Sequence, residues 1–149
     1  VLPHGVHVRS ADRPTGAELR RRLGLPEREK IVLGFGFIQP HKGMEGIIEG
    51  VRHLIDRGIP ARGVIAGEAR SDHPRSAEYL ELLKRHAREL GVSDRITFTE
   101  RFHDDDEVMD YLAAADVVLM NYRSQYFEAS GACSLAVGAG PLVAASLAP

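Results

Sequence analysis

The sequence predicts an α/β protein built on a doubly wound parallel sheet. Short apolar runs bounded by charge and by Gly or Pro alternate with longer amphipathic stretches, as strands buried on both faces alternate with helices. The amphipathic stretches are also long enough to act as crossovers between parallel neighbours. Residues 1–29 read as a leading segment with a short helix around TGAELRRRLG (15–24). KIVLGFGF (30–37) is the first buried strand. Met44, Ile47, Ile48, Val51, Leu54 and Ile55 then recur at helical spacing until Gly58 offers a stop, and ARGVIAGE (61–68) is the second strand. SAEYLELLKRHAREL (76–90) forms a helix ended by Gly91, RITFTE (95–100) a strand, EVMDYLAAA (107–115) a helix and DVVLMNY (116–122) a strand. A fourth helix falls near 128–138, and PLVAAS (141–146) closes the series.

At 149 residues and 44% hydrophobic content, the chain can bury one real core and is too short for two ordinary domains. With 19 basic against 21 acidic residues the formal charge is −2, which lacks the basic footprint of a nucleic-acid binder. Cys133 is the single cysteine, so no internal disulfide forms and a reducing compartment fits. No apolar stretch approaches the ~20 residues of a membrane span, and no signal peptide is visible at the start. The abrupt VLPHGVHV start and SLAP end lead us to expect a piece of something longer.

In an open parallel sheet, ligands gather beyond the carboxyl ends of the strands, where helix N-termini and loop amides converge. The segments to inspect are therefore 35–43, 67–73, 101–106 and 121–131. The first, within GFGFIQPHKG (34–43), combines glycines that let backbone approach a ligand with one cation, Lys42, before a helix expected to start near Gly43. That pattern invites an anion, and a diphosphate fits a flexible ammonium better than a carboxylate does. A tight turn with a solvated lysine is the plain alternative. A Walker loop is excluded, because His41 precedes Lys42 and Gly43 follows it; a nicotinamide fingerprint is excluded, because Gln39 stands where its third glycine belongs.

Strand, then G-x-x-x-x-x-K-G, then amphipathic helix resembles the donor-phosphate loop in the C-terminal half of group 1 glycosyltransferases of the GT-B fold, glycosyltransferase family 4. VLPHGV (1–6), VIAGE (64–68), YLELLKRHARELGVSDRITFTERF (79–102) and AADVVLMNYRSQYFEASGACSLAVGAGPLVAAS (114–146) extend the resemblance over nearly the whole chain. The resemblance implies a nucleotide-sugar donor site. Lys42 and Glu128 would be its catalytic residues, with Gly36, Phe37, Gly43, Glu68, Phe102, His103, Ser130, Gly131 and Ala132 around the donor. Lys42 would sit on the diphosphate, the amides of 130–132 would hold phosphate, Glu128 would accept hydrogen bonds from sugar or ribose hydroxyls, and Phe102 and His103 would border the base. It further implies retaining transfer to a hydroxyl acceptor, sugar or lipid-linked, bound by an N-terminal domain that this chain lacks. It places the full-length enzyme in polysaccharide or glycolipid biosynthesis, cytoplasmic, with the inner face of the membrane as a further option, and with neither metal nor other cofactor.

Three positions depart from the family pattern. Phe37 stands where members usually carry arginine, so Arg70, Arg101 or Arg123 is left to substitute. Gln125 and Cys133 occupy the positions of a glutamate pair, and Glu128 is left to take one role. These departures keep a second reading open, a noncatalytic nucleotide-sugar-binding or regulatory domain with a degenerate donor loop. Elsewhere, Asp104-Asp105-Asp106 reads as a helix cap with Glu107 in preference to a metal triplet. The histidines form no i, i+4 pair, so no metal site is expected. Cys133 reads as packed on a helix face, and the run Arg20-Arg21-Arg22 as a solvated helix face.

Overall fold

A computed structural model describes residues 14–123 and 131–146 of the chain. Its elements follow in order: α1 (Gly16–Arg22), β1 (Lys30–Phe35), a 3-10 turn at Pro40–Lys42, α2 (Glu45–Asp56), β2 (Ala61–Ala66) and α3 (Pro74–Glu89). A second 3-10 turn at Ser93–Arg95 precedes β3 (Ile96–Phe98), α4 (Asp105–Ala114), β4 (Val117–Met120), α5 (Gly131–Ala139) and β5 (Leu142–Ala145). The strands form one sheet in the order β3-β2-β1-β4-β5, and every pairing is parallel. The expected fold class is therefore the observed one. The chain winds outward from β1 through β2 to β3, then returns to lay β4 on the other side of β1. Strand order reverses between β1 and β4, which opens a crevice at their carboxyl ends.

Alternation along the central strands explains why both faces are covered. Ile31, Leu33 and Phe35 of β1 point into one cluster with Leu19, Val64, Leu112 and Val118, under α1, α4 and α5. Val32 joins Ile47, Ile48, Val51, Ile65, Leu83 and Ile96 under α2 and α3. Leu33 and Leu112 are fully buried, and truncating such a side chain to alanine costs about 2–5 kcal/mol.

Helix starts follow local chemistry. Thr15 caps α1 through a reciprocal box with Glu18. Asp104 caps α4 by accepting from the Glu107 amide at 2.8 Å, as expected. Glu107 does not return the bond, because its carboxylate is taken by Arg101 at 2.7 and 2.8 Å.

Two expectations are corrected. The arginine run of α1 is not wholly solvated: Arg20 reaches the Ala114 carbonyl at 2.8 Å and Asp116 at 2.5 Å, and Arg22 reaches Asp110 at 2.7 Å. The helix after the lysine loop begins at Glu45, because the 3-10 turn intervenes and Gly43 ends it in the left-handed region at φ 58°. No helix among the described residues is long and apolar enough to cross a membrane.

Candidate functional site

Three segments meet at the switch point between β1 and β4. Gly36 and Phe37 leave β1, the 3-10 turn delivers Lys42, and Asn121-Tyr122-Arg123 leaves β4. Lys42 Nζ lies 3.3 Å from where a Cβ on Gly36 would stand. It also lies 3.4 Å from the Tyr122 hydroxyl and 5.1 Å from the centre of that ring. Among the described residues no carboxylate comes within ion-pair distance of this ammonium. Strand topology thus sets a cation at the crevice without a counter-charge among the described residues.

The lysine turn is fastened to the segment after β4. The Arg123 amide donates to the His41 carbonyl at 2.8 Å, and Asn121 Nδ2 donates to the Gly43 carbonyl at 3.3 Å. Gly43 fits for two reasons: its φ suits glycine, and a Cβ there would run into the Asn121 carbonyl oxygen.

Most backbone amides at this helix start already have partners. The amides of Lys42, Gly43, Gly46 and Ile47 donate to carbonyls within the turn, and that of Met44 donates to the Tyr79 hydroxyl oxygen at 2.9 Å. Tyr79 in turn donates to Glu45 at 2.5 Å, so the first turn of α2 carries its own carboxylate. Burial and that carboxylate push the Tyr79 hydroxyl pKa far up. Positive charge at this loop therefore rests on Lys42.

Beside Lys42, across Gly36, lies a second feature. A slot of about 80 Å³ is bordered by Gly36, Phe37, Glu68, Phe102 and His103, with Gly67 and Val108. The fold brings these five expected donor-site residues together from three strand ends. A Cβ on Gly67 would overlap the Gly36 carbonyl oxygen, so the loops after β1 and β2 touch backbone to backbone. Ile38 N donates to the Glu68 carbonyl at 2.9 Å and continues the zipper. Phe102 is 61% exposed, an unusual state for a phenylalanine with no protein surface over it.

His103 is buried behind the slot. Its Nε2 lies 2.7 Å from Thr99 Oγ1, which accepts the Gly67 amide at 2.9 Å. Its Nδ1 lies 3.3 Å from Glu107 Oε2 without hydrogen-bond geometry. Burial, helped by Arg101, lowers the His103 pKa against the opposing pull of Glu107, which keeps the ring neutral near pH 7. Arg101 hydrogen bonding holds Glu107 at about 2. A ring shut in this way supports the slot wall.

Gly131 and Ala132 open α5, and Ala132 and Cys133 pack against the core cluster. Glu128, Ser130 and Gln125 lie outside the described residues. No group of three or more metal-ligating side chains occurs among the described residues. Sequence reading did not single out Tyr122, Asn121, Thr99 or Tyr79. Tyr122 had a usable signal, since the residues following the strand beside β1 must line the crevice once the strand order is known.

Comparison with known proteins gives one consistent picture. The family model described as "Glycosyl transferases group 1" matches residues 16–135. A D-inositol 3-phosphate glycosyltransferase of Xylanimonas cellulosilytica is 31% identical over 99% of this chain and 34% of its own length. A GDP-mannose-dependent alpha-(1-6)-phosphatidylinositol monomannoside mannosyltransferase of Mycobacterium tuberculosis is 32% identical over 83% of this chain and 30% of its own. Among solved structures, HepE of Anabaena, crystallised with UDP and glucose, superposes with a TM-score of 0.71 at 23% identity, over 89% of this chain and 33% of that one. The chain spans about a third of the length of these curated relatives. Sheet order, crevice and family match agree: the chain belongs to the group 1 glycosyl transferases and has the fold of the C-terminal half of their GT-B architecture.

Proposed function

We propose that this chain is the donor-binding half of a glycosyltransferase. Joined to an N-terminal domain that carries the acceptor site, the enzyme moves a sugar from a nucleotide-diphosphate sugar to a hydroxyl of a sugar or lipid-linked acceptor, with retention, in the cytoplasm. The observation that carries this reading is the Lys42 ammonium at the β1/β4 switch point, with no carboxylate within ion-pair distance among the described residues. A cation so placed offsets negative charge that grows on a leaving diphosphate, help of a kind worth about 3–4 kcal/mol when well positioned. The slot between Phe37 and Phe102 takes the base by stacking. Glu128 and the 130–132 amides hold sugar hydroxyls and phosphate. The reading needs no metal or other cofactor, because an ammonium together with a helix N-terminus suffices to offset the charge of a leaving diphosphate. The Mycobacterium tuberculosis relative, named for GDP-mannose, supports a nucleotide-sugar donor.

Calorimetry with UDP- and GDP-sugars tests it. At least one binds, and Lys42→Ala weakens that binding by ~1 kcal/mol or more. The 149-residue chain alone transfers no sugar; full transfer by it would refute the two-domain part. The noncatalytic reading gains from one observation, the Glu45 carboxylate already seated in the first turn of α2. An absence of heat with every nucleotide decides for its regulatory form.

A further inference from the structure

The slot between Phe37 and Phe102 has two walls, and they are fastened differently. On one side the loops after β1 and β2 are seamed by backbone, with the Gly36 amide donating to the Ala66 carbonyl and the Ile38 amide to the Glu68 carbonyl, both at 2.9 Å. On the other side the ladder ends at Thr99, whose amide donates to the Ile65 carbonyl at 3.1 Å. Glu100 then turns the chain through the left-handed region at φ 51°. Among the described residues no backbone hydrogen bond joins 67–70 to 100–103. A side chain makes the join: Thr99 Oγ1 accepts the Gly67 amide and meets His103 Nε2 at 2.7 Å.

The neighbours fix which atom carries each hydrogen. Glu107 Oε2 faces His103 Nδ1 at 3.3 Å, and a ring lone pair there would be repelled by the carboxylate, so in the neutral ring Nδ1 carries the hydrogen. Nε2 is then an acceptor. The Thr99 hydroxyl donates to it and accepts from Gly67, since its other available acceptor, the Gly67 carbonyl, is farther away at 3.4 Å. Tyr111 meets the ring edge-on with centres 5.1 Å apart, and the His103 side chain is 2% exposed. A ring held in this way gives the hydroxyl a fixed anchor for the loop after β2.

We propose that Thr99 is a positioning residue for the nucleoside: through Gly67 and His103 its hydroxyl sets the width of the slot, and with it the stacking of the base. The proposal rests on the donor-binding reading above, in which the base enters this slot. Stacking tolerates little slack, because a gap of about 0.5–1 Å already forfeits roughly a quarter to a half of a dispersion contact. Replacing the hydroxyl by a methyl group leaves the Gly67 amide and His103 Nε2 facing an apolar atom, which drives the loops apart or lets water between them. The diphosphate end is insulated from this change, since the turn that bears Lys42 is fastened to the segment after β4 instead.

The test is calorimetric titration of the 149-residue chain with UDP, with GDP and with inorganic pyrophosphate. Thr99→Val weakens the nucleotide that the parent binds better about tenfold and leaves pyrophosphate unchanged, whereas a general loss of structure lowers both alike. Thr99→Ser keeps the hydroxyl and binds that nucleotide within about twofold of the parent. A parent that binds neither nucleotide overturns the donor reading and this proposal with it. If the parent binds one and Thr99→Val binds it equally well, or both substitutions lose affinity alike, or pyrophosphate falls in step, Thr99 is excluded and the donor site stands. Should Thr99→Val fail to fold, nitrogen NMR of the parent decides: Nδ1 of His103 carries the hydrogen, and the Nε2 signal moves when the nucleotide binds. A hydrogen on Nε2, or a ring indifferent to the nucleotide, overturns the proposal.

Discussion

At the amino ends of the strands, Asp116 accepts from Arg20 at 2.5 Å, Lys30 at 3.1 Å and the Ile31 amide at 2.8 Å. At the carboxyl ends, Lys42 meets the hydroxyl and ring of Tyr122. The amino end repeats its pattern one strand over, where Glu29 binds Arg62 at 2.9 Å and Arg95 at 2.6 Å. Both carboxylates tie segments far apart in sequence and are mostly covered. The same sheet thus neutralises its charges at one end and leaves a cation without a described carboxylate at the other. Stability resides in the first arrangement and ligand affinity in the second, because a group already paired has little left to offer a newcomer.

The largest break comes from Gly43→Ala, which forces a side chain into the left-handed region and against Asn121. We expect a loss of about 3–4 kcal/mol in chemical denaturation, together with loss of nucleotide binding. Arg20→Met strikes the opposite end by removing the bonds to Ala114 and Asp116. It lowers stability by about 2 kcal/mol and leaves nucleotide affinity unchanged.

Acid sharpens the same contrast. Burial raises the Asp116 pKa, but the Ile31 amide, Arg20 and Lys30 more than offset it and hold the group below its ordinary value. A depressed carboxylate stabilises the fold above its unfolded pKa, about 3.9, and that contribution is lost as pH falls from there through the folded value. Melting temperature against pH should therefore drop less steeply for Asp116→Asn than for the parent below about pH 4.

Lys42→Met completes the comparison from the crevice. Stability should change by no more than about 0.5 kcal/mol while diphosphate affinity drops about tenfold. Smallest of all is Arg52→Ala, which removes an exposed pair with Asp56 on α2 and should register within about 0.5 kcal/mol.

Periodicity made the strands and helices legible because both faces of the sheet are covered, so strands such as Ile31–Phe35 read as unbroken apolar runs. Their ends were less legible. The first strand stops at Phe35 and the third spans Ile96–Phe98, since Gly36 turns away at once and the chain beyond Phe98 leaves the ladder. At the site, Lys42 was legible from its loop, whereas Phe37, Glu68, Phe102 and His103 came from the family resemblance; the sheet brings them near one another because each follows a strand's carboxyl end. Tyr79 and Thr99 were not legible, because a hydroxyl that satisfies another loop's amide is chosen by packing between distant segments and leaves no local spacing behind. Arg20 was misread for the same reason: nothing in three consecutive arginines tells which one meets an aspartate 96 residues later.

The backbone bond from Arg123 to His41, together with the amide of Asn121 on Gly43, gives the crevice a mechanical property. Residues 121–123 and the turn bearing Lys42 are thereby stitched edge to edge, so a substitution that shifts Asn121 or Arg123 also shifts the backbone that carries the ammonium.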